Sequence, residues 1–250
     1  MKAIIVAAGQ GNRLMPLTNN KPKCLLEIGG KSILQRQLEV FRQCAINEII
    51  VVRGYRKEMI TYQGISYYEN MEYETNNILK SLFYAEAEMD TEFIFSYSDI
   101  LFGEDILKKL LQSKADTSLV IDVDWLEHYR DRYQHPIEEA ELVIVENNRV
   151  TGIGKKIVKP EEAHGEFIGL AKFTEEGTEI LKSNYRRVLT RYQNRPFHQA
   201  ASVEKAYLTD MIQELIDKGY LIGNVDIRGG WMEIDTPEDL EKAQREWRGS

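Results

Sequence analysis

The sequence predicts an α/β protein with a single Rossmann-like sheet, mixed and mostly parallel, that carries helices on both faces. Three observations support this fold class. Residues 1–125 alternate apolar, strand-like runs with amphipathic segments, the rhythm changes only after residue 125, and no internal repeat or low-complexity tract interrupts it. Because crossovers between parallel strands are right-handed, they place helices on both faces of such a sheet. We therefore expect the 250 residues to form one domain.

The first half begins with a nearly continuous apolar run at 2–8, as expected of a strand buried on both faces. A helix follows at 31–45, with Leu34, Leu38 and Phe41 at helical spacing. Thr75 or Asn76 is a candidate cap for a second helix. The other predicted elements are strands at 48–55, 66–70, 92–102 and 117–125, and helices at 75–89 and 104–113.

The second half is predicted to complete the same sheet and to add a small lid or subdomain. A hairpin turns at Asn147-Asn148, and the final helix begins at Pro237 with Thr236 as its cap. The predicted elements are the hairpin at 141–154, strands at 165–173 and within 224–235, and helices at 175–186, at 203–218 and from 237.

Composition excludes several classes of protein. The net charge of −8 argues against a general nucleic-acid binder, which would carry a basic face. No apolar run approaches the roughly 20 residues that cross a bilayer, so no membrane association is expected. Cys24 and Cys44 form neither a disulfide framework nor a metal cluster, and a reducing cytoplasm is the simplest location. Residues 1–26 carry four basic residues and no acid, which indicates a place for an anion unless the clustering is chance.

The strand at 2–8 leads into the segment AAGQGNRLMPLTNNKPKCLLEIGGKSIL, which begins like a phosphate-binding loop. Gly9 and Gly11 let the backbone approach a ligand closely, and exposed amides can hold phosphate oxygens. Position 14 is Leu, and no acidic residue closes the strand near 53, so the loop is not a dinucleotide fingerprint. It is not a P-loop either, because no Gly-Lys-Ser/Thr follows the glycines.

The longer string, with its glycine pair, Arg13, Pro16 and Pro22-Lys23, resembles the signature of the nucleoside-triphosphate transferase superfamily. In that superfamily the loop wraps the triphosphate, and the arginine and the later lysine contact phosphates. Taken alone, Lys23 could be a solvated surface lysine. The resemblance implies catalytic roles for Arg13 and Lys23, and nucleotide-binding roles for Ala7, Ala8, Gly9 and Gly11.

Isolated carboxylates mark two further places. Asp99 ends a buried strand, where an unpaired charge is costly, although it could instead cap the helix near 104. Glu233 and Asp235 share one face of a strand, and Asp235 could also cap the last helix. The resemblance implies that Asp99 and Asp235, with Glu233, bind Mg²⁺, which prefers carboxylate and phosphate oxygens. His128 and His135 are expected to be solvated or locally hydrogen-bonded rather than metal ligands.

The segment YETNNILKSLFYA (73–85), and a longer pattern that includes YSDILF, GEFIGLAKF and GGWMEIDTPEDL, narrow the resemblance. They are similar to cytidylyltransferases of surface-polysaccharide decoration and phosphonate pathways, which use CTP with phosphocholine, aminoalkyl phosphonates or phosphorylated glutamine. Sugar-1-phosphate nucleotidyltransferases share the first loop but fit the remainder less well, and a non-catalytic nucleotide-sensing module is the other alternative. The resemblance implies further nucleotide contacts by Asn76, Asn77, Ser81 and Ser98.

Residues near the end of the strand at 117–125 are candidates for an acceptor site. An aromatic face with carboxylates could hold an amine or ammonium group, and an arginine could hold a carboxylate or phosphate. Trp125 could equally be a packed core residue, Lys172 a surface residue, and Tyr207 a helix-packing residue. The candidate acceptor-binding residues are Asp122, Trp125, Tyr129, Arg132, Glu166, Lys172 and Tyr207.

The implied reaction is an in-line displacement at the α-phosphorus of CTP by an oxygen of the acceptor's phosphate or phosphonate, with loss of pyrophosphate. A phosphate dianion needs no general base near neutral pH, so catalysis is positioning and charge stabilisation. We expect residues 1–125 to bind the nucleotide and residues 126–250 to bind the acceptor and complete the sheet. An exposed apolar face in the second half could serve a homodimer.

Overall fold

A mixed sheet of nine strands forms the centre of the molecule. The structure is a computed structural model, and it describes residues 1–130 and 132–247. The strands, including two small pairs outside this sheet, are β1 (Lys2–Ala7), β2 (Glu27–Ile28), β3 (Lys31–Ser32), β4 (Glu48–Arg53), β5 (Ile65–Glu69), β6 (Phe93–Tyr97), β7 (Ile100–Phe102), β8 (Thr117–Asp122), β9 (Glu141–Glu146), β10 (Arg149–Lys155), β11 (Gly165–Phe173), β12 (Ile222–Ile227) and β13 (Trp231–Glu233). The helices are α1 (Ile33–Gln43), α2 (Ile78–Phe83), α3 (Glu104–Gln112), α4 (Leu126–Tyr129), α5 (Glu175–Arg191), α6 (Leu208–Asp217) and α7 (Pro237–Glu246).

The strand order confirms a mixed, mostly parallel sheet. β1 lies between β4 and β6 and runs parallel to both, and β5 continues the parallel set beyond β4. β11 is antiparallel to β6, β8 and β9, and β12 runs parallel to β8. Only β10 and β11 therefore run opposite to the other seven strands of the nine-stranded sheet in the described residues.

Alternating side chains of β1 bury both faces of the sheet. Ile4 and Val6 enter one apolar cluster, whereas Ala3 and Ile5 enter another on the opposite side. Helices α1 and α3 pack into the second cluster, and α2, α5 and α6 pack into the first. The helices thus cover both faces, as predicted, because a strand that is apolar on both sides needs a layer on each. No helix in the described residues is long and apolar enough to cross a membrane.

The single strand predicted at 92–102 is two strands. β6 lies in the main sheet, but the chain turns at Ser98-Asp99, and β7 pairs with β13 in a separate two-stranded sheet. The buried amide of Gln37 holds this break, since its Nε2 donates to the carbonyl oxygens of Tyr97 (2.8 Å) and Ile100 (2.7 Å). Apolar residues lie on both sides of the turn, so the sequence pattern does not reveal it.

The stretch at 224–235 divides in the same way, into β12 and β13, at a turn where Gly229 and Gly230 have φ of 63° and 79°. β7, β13 and α7 enclose a small third cluster that includes Leu101, Ile234 and Leu240. The hairpin at 141–154 forms as predicted. It joins the main sheet through β11, so this part of the second half extends the sheet.

Helix boundaries differ from the prediction where caps decide them. α2 is shorter than the predicted helix at 75–89, because Asn77 caps it with its side-chain oxygen on the Ile78 amide (2.9 Å). α5 continues to Arg191, beyond the predicted end at 186, and α6 begins only at Leu208. α7 starts at Pro237 with Thr236 as its cap, as predicted.

Candidate active site

Two adjoining cavities open where β1 and β6 end, at the carboxyl edge of the parallel strands. The first, here called the loop cleft, is lined by Val6, Ala7, Ala8, Gly9, Gly11, Asn12, Arg13, Lys23, Cys24, Tyr73, Asn76, Asn77, Ile78, Ser81, Tyr97, Ser98, Asp99, Tyr207 and Asp235. The second, here called the acidic pocket, is lined by Arg13, Ile78, Tyr97, Asp99, His135, Glu139, Glu141, Lys155, Glu166, Phe167, Ile168, Tyr207, Trp231, Glu233 and Asp235. Arg13, Asp99 and Asp235 belong to both, so the cavities share a charged wall.

The glycine loop after β1 fits closely against Lys23. Gly11 has a φ of 68°, and a Cβ there would lie 2.9 Å from the Cβ of Lys23. The hydroxyl of Thr18 donates to the Gly11 carbonyl oxygen (2.8 Å) and fixes the turn. A Cβ on Gly9 would meet no heavy atom within 4 Å. Gly11 is therefore required by the fold of the loop, whereas Gly9 leaves open space facing the cleft.

Lys23 is a buried cation between two carboxylates. Its Nζ donates to Asp99 Oδ2 (2.7 Å) and to Asp235 Oδ1 (2.5 Å), and Arg13 Nη2 also forms an ion pair with Asp235. Burial opposes the charge on Lys23, but the two aspartates outweigh it and raise its pKa above the ordinary value. Burial likewise opposes the Asp235 charge, yet Lys23, His135 and Arg13 hold the pKa of that carboxyl well below its usual range.

The same carboxylates fit a divalent cation. Asp99 Oδ1 and Asp235 Oδ2 are buried and have no hydrogen-bond partner among the described residues, although Arg13 and His135 lie within ion-pair distance of the second. Carboxylate oxygens are the hard donors that Mg²⁺ prefers, and these lie in a place that already stabilises the Lys23 cation. Glu233 lies beside them, but its carboxylate accepts from Arg132 Nη2 (2.8 Å) and is partly neutralised.

His135 is closer to this cluster than the sequence suggested. Ligand atoms of His135, Glu233 and Asp235 all lie within 4.8 Å of one another, and the imidazole is buried. The prediction that His135 is solvated was wrong, because the loop that carries it folds inward against β13. His135 Nδ1 lies 3.2 Å from Asp235 Oδ2, within ion-pair distance, and the local hydrogen bond that was the other expectation stays a prediction. No sequence signal marked this histidine.

The predicted nucleotide-binding residues line the loop cleft together. Asn76, Asn77, Ser81 and Ser98 lie there with the glycine loop. This agrees with the expectation that all of them contact the same nucleotide. Asn70, which is fully buried behind them, was not anticipated: its side chain bonds to both Asn76 and Ser81. Its position directly after the short strand β5 was the only available hint.

The lining of the acidic pocket is rich in carboxyl groups. Among the described residues, its carboxyl groups are those of Asp99, Glu139, Glu141, Glu166, Glu233 and Asp235, and its basic side chains are those of Arg13, His135 and Lys155. The ammonium of Lys155 lies 4.3 Å from the ring centroid of Tyr207 and 2.7 Å from a Glu139 oxygen. A surplus of carboxyl groups favours a ligand that brings a cation or several hydrogen-bond donors.

Two of these carboxyls are buried enough to hold a proton near neutral pH. Burial raises the pKa of Glu166 to about 8, and the nearby Glu233 adds to this effect. Burial raises the pKa of Glu141 to about 7, although the hydroxyls of Tyr97 and Thr209 donate to it. Tyr129 donates to Glu166 Oε1 (2.8 Å), while Oε2 is buried without a partner among the described residues.

Of the seven predicted acceptor-binding residues, Glu166 and Tyr207 line these two cavities, whereas Asp122, Trp125 and Lys172 make structural contacts elsewhere. Asp122 is fully buried and accepts from Trp231 Nε1 (2.8 Å) and the Gly229 amide, so its carboxylate holds the turn before β13. Trp125 is 2% exposed and packs in an apolar cluster. Lys172 Nζ donates to the carbonyl oxygens of residues 111 and 113, at the C-terminal end of α3, because the β11 side chains alternate between faces. These placements correct the prediction.

The remaining acceptor candidates lie at the acidic pocket. Glu166 and Tyr207 line it, and Tyr129 contacts it through Glu166. Arg132 does not line it but joins Asp239 (2.7 Å) and Glu233, so it supports the pocket's wall rather than facing a ligand. Trp231 lines the pocket together with the rings of Tyr97, Phe167 and Tyr207, and its GGW context gave no periodic signal that would distinguish it from Trp125.

The family described as the MobA-like NTP transferase domain matches residues 3–147 of this chain. The chain belongs to this family. It is therefore a nucleotidyltransferase, and the resemblance carried by the glycine loop is confirmed. Nucleotidyltransferases of the MobA-like family generally use a divalent metal, which agrees with the buried carboxylate oxygens beside Lys23.

Relatives of known activity match nearly the whole chain. A CTP:phosphoglutamine cytidylyltransferase of Campylobacter jejuni is 34% identical over 96% of this chain and 98% of its own length. The UTP–glucose-1-phosphate uridylyltransferase AglF of Haloferax volcanii is 28% identical over 98% of this chain and 96% of its own. The structure of the inositol-1-phosphate CTP transferase of T. maritima superimposes with a TM-score of 0.74 at 22% identity, covering 98% of this chain and 96% of that one. This last likeness supports the fold.

Proposed function

We propose that this nucleotidyltransferase is a Mg²⁺-dependent cytidylyltransferase, which transfers CMP from CTP to a small phosphorylated acceptor bearing an amine or amide. The observation that carries the proposal is the junction of the loop cleft with the acidic pocket across Arg13, Asp99 and Asp235. The full-length relative that uses CTP and phosphoglutamine supports the choice of nucleotide.

The proposed reaction joins an oxygen of the acceptor phosphate to the α-phosphorus of CTP. The bond between the α-phosphorus and the bridging oxygen breaks, and pyrophosphate leaves with that bonding electron pair. The acceptor oxygen is already ionised near neutral pH, so no proton has to be removed from it. The chain's contribution is then to align the two phosphates and to stabilise the charge that develops on the leaving group.

Arg13 and Lys23 are the cations placed for that charge. Arg13 lies on the wall between the cavities and is about half exposed, so it can reach either phosphate. Lys23 is anchored by Asp99 and Asp235, directly beside the open space at Gly9. The glycine loop supplies backbone amides that face the triphosphate.

Asp99 and Asp235 are the residues that would hold Mg²⁺, with Glu233 and His135 around them. A bound Mg²⁺ would supply Lewis-acid stabilisation of the triphosphate and of the departing pyrophosphate. Because Lys23 contacts both aspartates, the same two carboxylates would stabilise the Lys23 ammonium and a bound Mg²⁺. Loss of either aspartate therefore affects both of them.

The acidic pocket is proposed as the acceptor site. A cationic ammonium group bound here would favour the ionised form of Glu166, whose unpartnered Oε2 then accepts its N–H, and Tyr129 orients that carboxyl from behind. An ammonium or amide group can satisfy such an oxygen, whereas a simple phosphate would meet repulsion from the surrounding carboxylates. In this proposal residues 1–125 bind CTP and residues 126–250 bind the acceptor, within one domain spanning 1–250. The cytoplasmic location and the homodimer stay predictions.

Pyrophosphate release tests the proposal. The purified chain is incubated with Mg²⁺, one of CTP, UTP, dTTP, ATP or GTP, and one of phosphocholine, an aminoalkyl phosphonate, phosphorylated glutamine or glucose 1-phosphate. We expect release to be fastest with CTP and an acceptor that carries an amine or amide, and absent without a divalent cation. Release that is fastest with UTP or dTTP and a hexose 1-phosphate would contradict the proposal.

That contradicting result defines the second candidate, a sugar-1-phosphate nucleotidyltransferase. The observation in its favour is the near full-length similarity to AglF, a UTP–glucose-1-phosphate uridylyltransferase. The buried Glu166 carboxyl favours the first candidate instead, because an ammonium group supplies a cation as well as N–H donors, whereas a hexose supplies only hydroxyl donors.

A further inference from the structure

Asn70 lies directly behind the part of the loop cleft that holds Asn76 and Ser81. It is fully buried, and its backbone amide donates to the Arg53 carbonyl oxygen (2.8 Å), so its position is fixed by β4. It does not line either cavity. Its side chain nevertheless makes every hydrogen bond that an amide of this kind can make.

The orientation of the Asn70 amide is fixed by a backbone N–H group, which can only donate a hydrogen bond. The backbone N–H of Glu72 donates to Asn70 Oδ1 (3.0 Å), so the oxygen end of the amide must face that N–H. The Nδ2 end then donates to Ser81 Oγ (2.8 Å) and to Asn76 Oδ1 (2.7 Å). The backbone hydrogen of Glu72 thus determines that the nitrogen end of the Asn70 amide faces Ser81 and Asn76.

Asn76 is consequently held by both ends of its amide. Its Oδ1 accepts from Asn70 Nδ2, and its Nδ2 donates back to Asn70 Oδ1 (3.0 Å). A rotation of the Asn76 amide by half a turn would set oxygen against oxygen and nitrogen against nitrogen. Within the described residues, this leaves Asn76 one N–H and one oxygen lone pair in a fixed order at the cleft.

A fixed order of donor and acceptor distinguishes cytosine from uracil. Cytosine presents an acceptor at N3 next to a donor at the exocyclic N4, whereas uracil presents a donor at N3 next to an acceptor at O4. An amide that can turn over serves either edge equally well. The N–H and the lone pair that remain on Asn76 lie on opposite sides of its amide, so only one of them can meet the substituent at C4 of the base. An amide held in one orientation then suits either the N4 donor of cytosine or the O4 acceptor of uracil, and leaves opposed groups with the other base.

We propose that Asn70 is a positioning residue that sets the pyrimidine preference of the enzyme by locking the Asn76 amide. The inference deepens the proposed function and rests on it for the choice of CTP. Asn70 does not touch the nucleotide; it acts through Asn76. The preference should therefore change when Asn70 changes, even though the lining of the cleft keeps the same residues.

The test is the ratio of kcat/KM for CTP to kcat/KM for UTP, measured on one preparation of each variant, so that the folded fraction cancels. Asn70→Ser keeps a side-chain oxygen for the Glu72 amide but cannot form the reciprocal amide pair. Asn70→Asp is the isosteric second variant, and it removes both Nδ2 donors. We expect each to lower the ratio by about tenfold or more, mainly through a higher KM for CTP.

Two further variants separate positioning from general damage. Asn184→Ser replaces another buried asparagine, on α5 and bonded to the Ile180 carbonyl oxygen, and should leave the ratio unchanged. Asn76→Ala should lower the ratio as much as Asn70→Ser does, and the double variant should lower it no further, because Asn70 acts only through Asn76.

Two results overturn the inference. The first is an unchanged ratio in Asn70→Ser or Asn70→Asp that still unfolds cooperatively. The second is an unchanged ratio in Asn76→Ala, whose partly exposed side chain can be removed without opening the core. If the proposed function is wrong, the wild-type chain will prefer UTP or neither nucleotide. A change of the ratio in the Asn70 variants would still show that Asn70 sets the preference through Asn76.

Discussion

The loop cleft and the acidic pocket share a wall but differ in how the chain builds them. The loop cleft takes its glycines, Arg13 and Lys23 from one continuous segment, and its asparagines from a second short segment. The acidic pocket collects carboxyls from four separate parts of the chain, near residues 99, 140, 166 and 234. The first can therefore be recognised as a motif, whereas the second exists only after folding.

Charge separates the two regions as well. Aspartates on the shared wall neutralise Arg13 and Lys23 in the loop cleft. The cleft therefore suits a triphosphate that binds together with a divalent cation. The acidic pocket has a surplus of carboxyl groups, and burial keeps protons on part of them near neutral pH. One region is thus suited to CTP and the other to the amine or amide end of the acceptor.

Lys23→Ala should have the largest effect. The change removes a buried cation that faces both the triphosphate and the two aspartates, and we expect kcat to fall by about a thousandfold or more. Stopped or continuous pyrophosphate release measures it. The matched control is Lys21→Ala, which removes a neighbouring lysine that lines neither cavity. Equal activity of the two variants would remove Lys23 from the catalytic machinery.

Asp235→Asn should have the next largest effect. The carboxamide keeps the shape but loses the charge that holds Lys23 and would hold the cation, so we expect kcat to fall by about a hundredfold. The Mg²⁺ concentration at half-maximal rate should rise as well. Asp226→Asn, on an aspartate that pairs with His164 outside both cavities, serves as the control. Unchanged turnover in Asp235→Asn would refute the metal assignment.

Gly11→Ala and Gly9→Ala should differ in stability. At Gly11 the φ of 68° and the 2.9 Å approach to Lys23 Cβ make alanine costly, by about 1–2 kcal/mol of unfolding free energy. At Gly9 no heavy atom lies within 4 Å of the added Cβ, and we expect a change of less than about 0.5 kcal/mol. Urea denaturation compares them, and equal losses would contradict the close fit of the loop.

The pH dependence of stability should reveal the buried carboxyl of the acidic pocket. The pKa of Glu166 is raised to about 8 in the folded chain from the ordinary value of 4.5. The folded state therefore keeps a proton that the unfolded state loses. Its contribution is fully present below about pH 4.5 and is lost progressively as the pH rises to about 8.

Glu166→Gln should flatten that dependence, with a relative gain of on the order of 1–2 kcal/mol at pH 9 compared with pH 5. Thermal unfolding across this pH range measures it. The control is Glu161→Gln, which alters an exposed carboxylate outside both cavities and should follow the wild-type profile. A Glu166→Gln profile parallel to that of the wild type would show that Glu166 is ionised in the folded chain.

The same contrast explains how much the sequence could predict. The buried run of β1, the glycine pair and the Lys23 spacing are local, so the fold class and the loop cleft followed from pattern and resemblance. Trp125 and Trp231 look alike in sequence, and only the pairing of β7 with β13 decides which of them reaches the pocket. Lys172 was misplaced for a related reason, since the pattern GEFIGLAKF is apolar on both faces and does not tell which face meets the site.

We propose that the loop cleft binds CTP and that the acidic pocket binds the acceptor. The most direct test is to measure the KM for CTP and the KM for the best acceptor in Asn76→Ala and in Glu166→Gln. We predict that Asn76→Ala raises the KM for CTP by about tenfold and leaves the KM for the acceptor within about twofold of wild type. Glu166→Gln should do the reverse, because a carboxamide cannot ionise and so cannot give the acceptor's ammonium group a charged oxygen at Oε2. A Glu166→Gln variant in which the KM for CTP rises while the KM for the acceptor stays constant would contradict the account.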